Sequence, residues 1–228
     1  MSPLIELNIA KVQQRIAEAE KKYQRIAGSV QLMAVSKTRP AALVRAAAEA
    51  GLTDIGENYL QEALDKQQVL ADLELNWHFI GPIQSNKTRS IAEHFDWVHS
   101  VDRFKIAQRL NDQRPEGLKP LNICLQVNIS GEESKSGLKL EELEAAASQI
   151  ADLPQISLRG LMAIPRAAHS IEEQRQPFAQ LASALKQLQL KHPAMTTLSM
   201  GMSNDMDAAI AEGASIVRIG TDIFGPRQ

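Results

Sequence analysis

Apolar residues recur at Ile5, Ile9, Val12, Ile16, Tyr23 and Ile26, mostly three or four positions apart, which places them on one face of a helix. The pattern predicts a first helix over about 2–27, stopped by Gly28. The period then changes. Short apolar runs at 31–36, 54–56, 77–81, 97–100, 121–129, 157–164, 197–200 and 215–219 read as strands. Between them lie helical patterns at 41–50, 59–73, 86–95, 103–111, 140–153, 171–190 and 205–212. Strands that alternate with helices in this way run parallel, joined by right-handed crossovers. Eight such units predict closure into a single (β/α)8 TIM barrel over 1–228, with the first helix as an addition that packs its stripe on the barrel. The competing fold is a doubly wound open sheet, but no G-x-G-x-x-G fingerprint follows any strand.

Composition narrows the class. The chain has 228 residues, 44% of them hydrophobic, with a formal net charge of −2, so no electrostatic footprint for nucleic acid is present. No apolar stretch is long enough to span a bilayer, and the N-terminus lacks the basic start and apolar run of a signal peptide. The single cysteine, Cys124, lies inside an apolar run and reads as a buried core thiol. A cytoplasmic protein with no nucleic-acid or membrane partner is expected.

Lys37 closes the first predicted strand, in Met33-Ala34-Val35-Ser36-Lys37, and Pro40 opens the helical pattern after it. In a barrel this places the lysine at the mouth where such folds keep their chemistry. A lysine whose pKa is lowered by burial or nearby cations attacks carbonyls and forms Schiff bases. A solvated lysine at a strand end is the plainer reading, and position alone favours it.

Two loops at the same mouth have the composition of an anion site. Ser199-Met200-Gly201-Met202-Ser203-Asn204-Asp205 follows the seventh strand, and Arg218-Ile219-Gly220-Thr221-Asp222 ends the eighth. Gly201 and Gly220 let backbone N–H groups approach a phosphate, and Ser199, Ser203 and Thr221 carry hydroxyl donors. The plainer reading is helix capping by Ser203 and a tight turn at Gly220. Asp205 and Asp207 would compete for the same helix end and are expected to point away. Arg218 shares a strand face with Ile216 and Gly220; if that face is the interior, its guanidinium needs a ligand atom or a neighbouring acid. Asn58 follows the second strand, where it either meets a ligand ring or caps the next helix; spacing alone favours the cap. The polar stretch 130–137 carries two glycines and three serines and reads as a mobile loop at this mouth. His78 reads as a satisfied core histidine. No HExxH, Cys/His cluster or G-x-S-x-G elbow points to a metal or a serine nucleophile.

Together, Ala34-Val35-Ser36-Lys37, Gly56-Glu57-Asn58-Tyr59, Trp77-His78-Phe79-Ile80-Gly81-Pro82, Arg159-Gly160-Leu161-Met162, Ser199-Met200-Gly201-Met202-Ser203-Asn204 and Arg218-Ile219-Gly220-Thr221-Asp222 closely resemble the pyridoxal phosphate homeostasis family. Ser134-Lys135-Ser136-Gly137 is also similar to that family's loop. The resemblance implies a fold-type III barrel like the N-terminal domain of alanine racemases. It implies pyridoxal 5′-phosphate (PLP) as a Schiff base on Lys37, with Asn58 also at the cofactor. Ser199, Ser203, Gly220 and Thr221 are expected around the phosphate, and Arg218 opposite the pyridine nitrogen. A cation there disfavours a proton on that nitrogen and makes the ring a poorer electron sink.

The resemblance also implies a protein that holds PLP, keeps the free aldehyde low and hands it to apo-enzymes, perturbing vitamin B6 and amino-acid balance when lost. Release is expected by transimination or hydrolysis, with the loop at Lys135 taking part. Alanine racemases carry a second, β-rich domain and work as dimers; this chain ends three residues beyond Gly225, so a monomer without a complete racemase site is expected. The competing functions are a PLP-dependent enzyme, such as a weak amino-acid racemase, and a Schiff-base aldolase acting on a phosphosugar.

Overall fold

Each predicted strand is present in the computed structural model, which describes residues 3–132 and 136–226. In chain order the elements are α1 (Pro3–Lys22), β1 (Gln31–Val35), α2 (Ala41–Glu49), β2 (Asp54–Glu57), α3 (Leu60–Val69), β3 (Asn76–Phe79), α4 (Thr88–His94), β4 (Trp97–Val101), α5 (Phe104–Gln113), β5 (Leu121–Val127), α6 (Leu143–Ala151), β6 (Ile156–Ala163), α7 (Ile171–Gln189), β7 (Thr197–Ser199), α8 (Met206–Ala211), β8 (Ile216–Ile219) and α9 (Thr221–Phe224). Short 3-10 turns, Ser85–Lys87 and Leu140–Glu142, lead into α4 and α6. The strands are all parallel and hydrogen-bond in sequence order around a closed ring, which β8 completes by pairing with β1 from Gln31↔Ile216 to Ala34↔Ile219.

The helices pack their apolar sides on the outside of this ring. Val44 and Ala47 of α2, Ile91 and Ala92 of α4, Ile106 and Leu110 of α5 and Leu181 of α7 are wholly buried there. Strand contacts are close enough to demand glycine in places. A Cβ at Gly160 of β6 would lie 1.9 Å from the Thr197 carbonyl oxygen of β7, and one at Gly81 would lie 2.0 Å from that of Asn58.

The first helix follows its predicted stripe, with Ile5, Ile9, Val12 and Ile16 buried, but it ends sooner. Gln24 takes a left-handed φ of 53°, Gln24 N–H bonds the Lys21 carbonyl and Arg25 N–H bonds that of Glu20, a Schellman stop. Gly28, the expected terminator, instead sits in the following turn, where its N–H and that of Val30 donate to the buried Glu20 carboxylate, both at 2.9 Å. Ile26 therefore lies outside the helix and is exposed. The helix packs on α2, α8 and α9, beside the mouth loops. The short α9 had no apolar period to announce it; four residues are too few to show one.

Candidate functional site

A strand leaves its side chains wherever the sheet ends, and β1 ends just before Lys37. Thr38 then takes a left-handed φ of 63°, and the Arg39 N–H returns to the Ser36 carbonyl at 3.0 Å. This sharp turn holds Lys37 on the wall of a mouth cavity of about 330 Å³. Asn58, Ser203, Arg218, Gly220 and Thr221 line the same cavity, with Ile80, Met162 and Met202 as apolar walls. Residues from β1, β2, β3, β6 and the loops after β7 and β8 thus converge. The volume falls in the range of about 300–1,000 Å³ usual for small-molecule sites.

Beneath Lys37 lies a buried ionic knot. The Ser36 hydroxyl donates to the Glu57 carboxylate, and the Lys66 ammonium of α3 lies 2.6 Å from Glu57, 2.6 Å from Glu62 and 2.7 Å from the Ser36 carbonyl. Burial raises the Glu57 pKa above its ordinary value, against the pull of Lys66 and Ser36. Neighbouring Asn58 does not cap α3. The N-cap is Tyr59, without a side-chain bond, and the Asn58 side-chain oxygen is buried with no hydrogen-bond partner.

Arg218 is 4% exposed. Its Nη1 donates to the Ser199 carbonyl and, at 2.9 Å, to the Ser199 hydroxyl; its Nη2 donates to the Ala163 carbonyl at 3.0 Å. Of the two partners the sequence left open, a ligand atom or a neighbouring acid, the acid is not in contact: among the described residues no carboxylate makes an ion pair with it, and these oxygens accept its hydrogen bonds. Burial pushes its pKa down to about 10, so it remains a cation at neutral pH. Of the described residues expected at the site, Ser199 and Gly201 are absent from the cavity wall, and Ser199 turns inward. It is wholly buried below, its hydroxyl shared by Arg218 and, at 2.8 Å, His99 Nδ1. Ser203 does not cap a helix either, since Asp205 holds the N-cap position of α8 and its carboxylate accepts from Met202 N–H at 2.6 Å. Asp205 and Asp207 both lie off the cavity wall, as expected.

Sequence reasoning missed three contributors. Arg15 reaches from α1 to the Asp222 carboxylate at 2.8 Å, the Ser203 carbonyl at 3.3 Å and Asp207 at 3.7 Å, tying together both mouth loops. Asp222 itself lines the cavity. His78, expected as a core histidine, is bonded on both ring nitrogens, to His99 and to Asp54, and His99 was not singled out at all. Helical spacing placed Arg15 on the polar face of α1, but only the fold brings it to residues some two hundred positions away. Lys135 of the polar loop lies outside the described residues. Cys124 is fully buried and its thiol is pushed up to about 12 by burial, which fits a core residue. Among the described residues no cluster of three His, Cys, Asp or Glu could hold a metal, and no helix is long and apolar enough to cross a membrane.

A β/α barrel with a strand-end lysine, a buried arginine and a hydroxyl- and glycine-lined corner at one mouth is a class of architecture shared with known proteins. The alanine racemase N-terminal domain model matches residues 8–228. The chain is 62% identical to the pyridoxal phosphate homeostasis protein of Pseudomonas aeruginosa, covering 100% of this chain and 97% of the relative. It is 50% identical to the protein of that name in Escherichia coli, covering 97% and 96%. PipY of Synechococcus elongatus, solved with PLP bound, superposes with a TM-score of 0.81 at 42% identity, covering 92% of this chain and 100% of PipY. Alanine racemase of Corynebacterium glutamicum shares the fold, with a TM-score of 0.67 at 16% identity over 94% of this chain and 61% of the racemase. The chain belongs to the alanine racemase N-terminal domain family, among its pyridoxal phosphate homeostasis proteins.

Proposed function

We propose that this chain holds PLP reversibly on Lys37 and releases it to acceptor amines, serving PLP homeostasis without a turnover of its own. The relatives' shared name and the PLP in PipY support the cofactor. The observation that carries the site is the cavity itself. It sets a primary amine, Lys37, on the same wall as a buried guanidinium and a Ser203–Gly220–Thr221 corner.

These residues fit the group. The first amides of α9 lack helical partners, and with the Ser203 and Thr221 hydroxyls they suit a phosphate. The partnerless Asn58 oxygen, costly when buried, would gain a donor from a ligand. When bound, PLP supplies an aldehyde that exchanges between amines. Lys37 Nζ is the attachment point that competes with incoming amines. Arg218, cationic throughout the neutral range, would disfavour a proton on the pyridine nitrogen of a ring held beside it. Ile80, Met162 and Met202 would give a bound ring apolar contacts.

The cavity walls support holding over transforming. Racemisation needs a second acid or base opposite the lysine. Among the described residues lining the cavity, Asp222 is the one carboxylate, and Arg15 pairs with it at 2.8 Å.

The test is the visible absorption spectrum of the purified protein beside Lys37→Ala, followed by borohydride reduction and peptide mapping. A near-visible band absent from the variant, with a pyridoxyl mass on Lys37, is the expected result. A wild-type protein that stays colourless with added PLP would overturn the reading. Rapid isotope exchange at Cα of free amino acids would overturn its non-enzymatic part.

A further inference from the structure

We propose that Asp54, His78, His99 and Ser199 form a one-way hydrogen-bonded chain through the barrel lumen, and that His99 acts through it as a positioning residue for Arg218. The chain is continuous. Asp54 Oδ1 lies 3.0 Å from His78 Nε2, His78 Nδ1 lies 3.0 Å from His99 Nε2, and His99 Nδ1 lies 2.8 Å from Ser199 Oγ, which lies 2.9 Å from Arg218 Nη1. These groups stand on β2, β3, β4, β7 and β8. Because β4 and β7 are not neighbours in the ring, the His99–Ser199 bond spans the interior.

Its direction follows from the two ends. A carboxylate only accepts, so His78 Nε2 carries the proton given to Asp54. With one proton on His78, as the proposal holds, its ring accepts at Nδ1, so His99 donates from Nε2 and accepts at Nδ1. The Ser199 hydroxyl is left to donate to His99. Read from the other end, a guanidinium only donates, so Ser199 accepts from Arg218 and has its own proton to give to His99. The two ends are compatible with the same assignment. Burial, together with His78 and Arg218, holds the His99 pKa well below its ordinary value, in keeping with a neutral ring. Trp97 stacks on His78, with ring centres 5.7 Å apart and planes 12° from parallel, and limits ring rotation.

The arrangement adds to the support that the Asp205 charge gives a buried cation with no carboxylate in ion-pair contact. Every dipole in the chain turns its negative end toward Arg218 and its positive end toward Asp54, and aligned hydrogen bonds strengthen one another. The Asp54 charge, near the opposite rim, thereby favours the guanidinium at the cavity. Ser199 is a link in this chain in place of a direct phosphate contact. The consequence for PLP rests on the function proposed above; the proton assignment does not.

The experiment is imidazole nitrogen NMR on the ligand-free, full-length protein labelled at histidine, from about pH 8 to about pH 6, where exposed histidines titrate. At about pH 8 both rings are expected to carry a single proton, on Nε2, and His99 is expected to keep that state down to about pH 6. A doubly protonated His78 at the upper pH, or a proton on His99 Nδ1, would reverse the chain and overturn the proposal. The second arm titrates PLP into His99→Leu and His99→Gln, since the amide can both accept and donate. His99→Leu should bind PLP about tenfold more weakly, with a displaced absorption maximum, the scale of one lost charge-assisted hydrogen bond, and His99→Gln should largely restore both. Equal affinities and maxima in both variants, with only the melting temperature lowered, would reduce His99 to a packing role and overturn the positioning claim. If the wild type takes no PLP, the site reading fails, while the NMR result still decides the chain.

Discussion

The Lys66 ammonium sits 2.7 Å from the carbonyl of Ser36, the residue just before Lys37, and 2.6 Å from the buried Glu57 carboxylate, just before Asn58. One cation on α3 thus anchors the ends of two adjacent strands, each of which delivers the next residue to the cavity wall. Lys66→Met strands Glu57 in the interior and should destabilise the protein by about 3–5 kcal/mol, less to the extent that Glu57 takes up a proton. Replacing Glu57 by Leu in the same protein should recover part of that loss. Denaturant titration of the two variants measures both.

Arg15 joins α1 to the loops after β7 and β8 through partly exposed bonds. Exposed pairs contribute about 0.2–1 kcal/mol each, so Arg15→Ala should melt close to the wild type. It should nonetheless bind PLP several-fold more weakly, because Asp222 regains an unneutralised charge on the cavity wall beside the proposed phosphate corner. Calorimetric titration against the melting curve separates the two effects.

Stability should fall as pH drops from about 6.5 to about 5.5. His99 is held neutral in the fold, whereas the unfolded chain takes up its proton near 6.5; below that pH the unfolded state binds more protons and gains. The slope is at most about 1.4 kcal/mol per pH unit for this one group. Glu57 and Asp205, whose pKa values burial raises, act in the opposite sense as carboxylates begin to titrate, which sets the lower edge of the window. Urea midpoints across this range, compared with His99→Gln, check the slope; the variant should be flatter.

Gly160→Ala should cost about 3 kcal/mol or more, because the added Cβ meets the Thr197 carbonyl at 1.9 Å and neither strand of the closed ring can retreat alone. Loss of soluble expression, or a lowered denaturation midpoint, is the expected observation.

Cys124 should resist alkylation in the native protein at pH 8 and react promptly once unfolded. Its thiol is wholly buried and pushed up to about 12. Intact-mass measurement with iodoacetamide, with and without denaturant, gives the answer directly.

Much of this molecule was legible in its sequence. Strand and helix order is local information, carried by the switch between period 2 and period 3.6, and closure follows once eight parallel units are present. Position left Lys37, Ser203, Gly220 and Thr221 with plainer readings; the family resemblance put them at one site, and the structure brings all four to one cavity. Other features were not legible. The stop of α1 at Gln24 depends on a backbone turn that no glycine marks. Asn58 looked like a cap, and its buried, partnerless oxygen emerges only when β2 and β3 meet.

The sequence by itself determined the barrel, the lysine at its mouth and the family, since each rests on spacing along the chain or on residue identity. Only the tertiary structure decided that Arg15 ties the two mouth loops together, that Ser199 turns from the cavity to link Arg218 with His99, and that His78 leads on to Asp54. Those partners lie up to 207 residues apart in the chain, and His99 and Ser199 stand on strands that are not neighbours in the ring. A side chain's hydrogen-bond partner is set by which groups closure brings within about 3 Å, and that distance is written nowhere in the order of the residues.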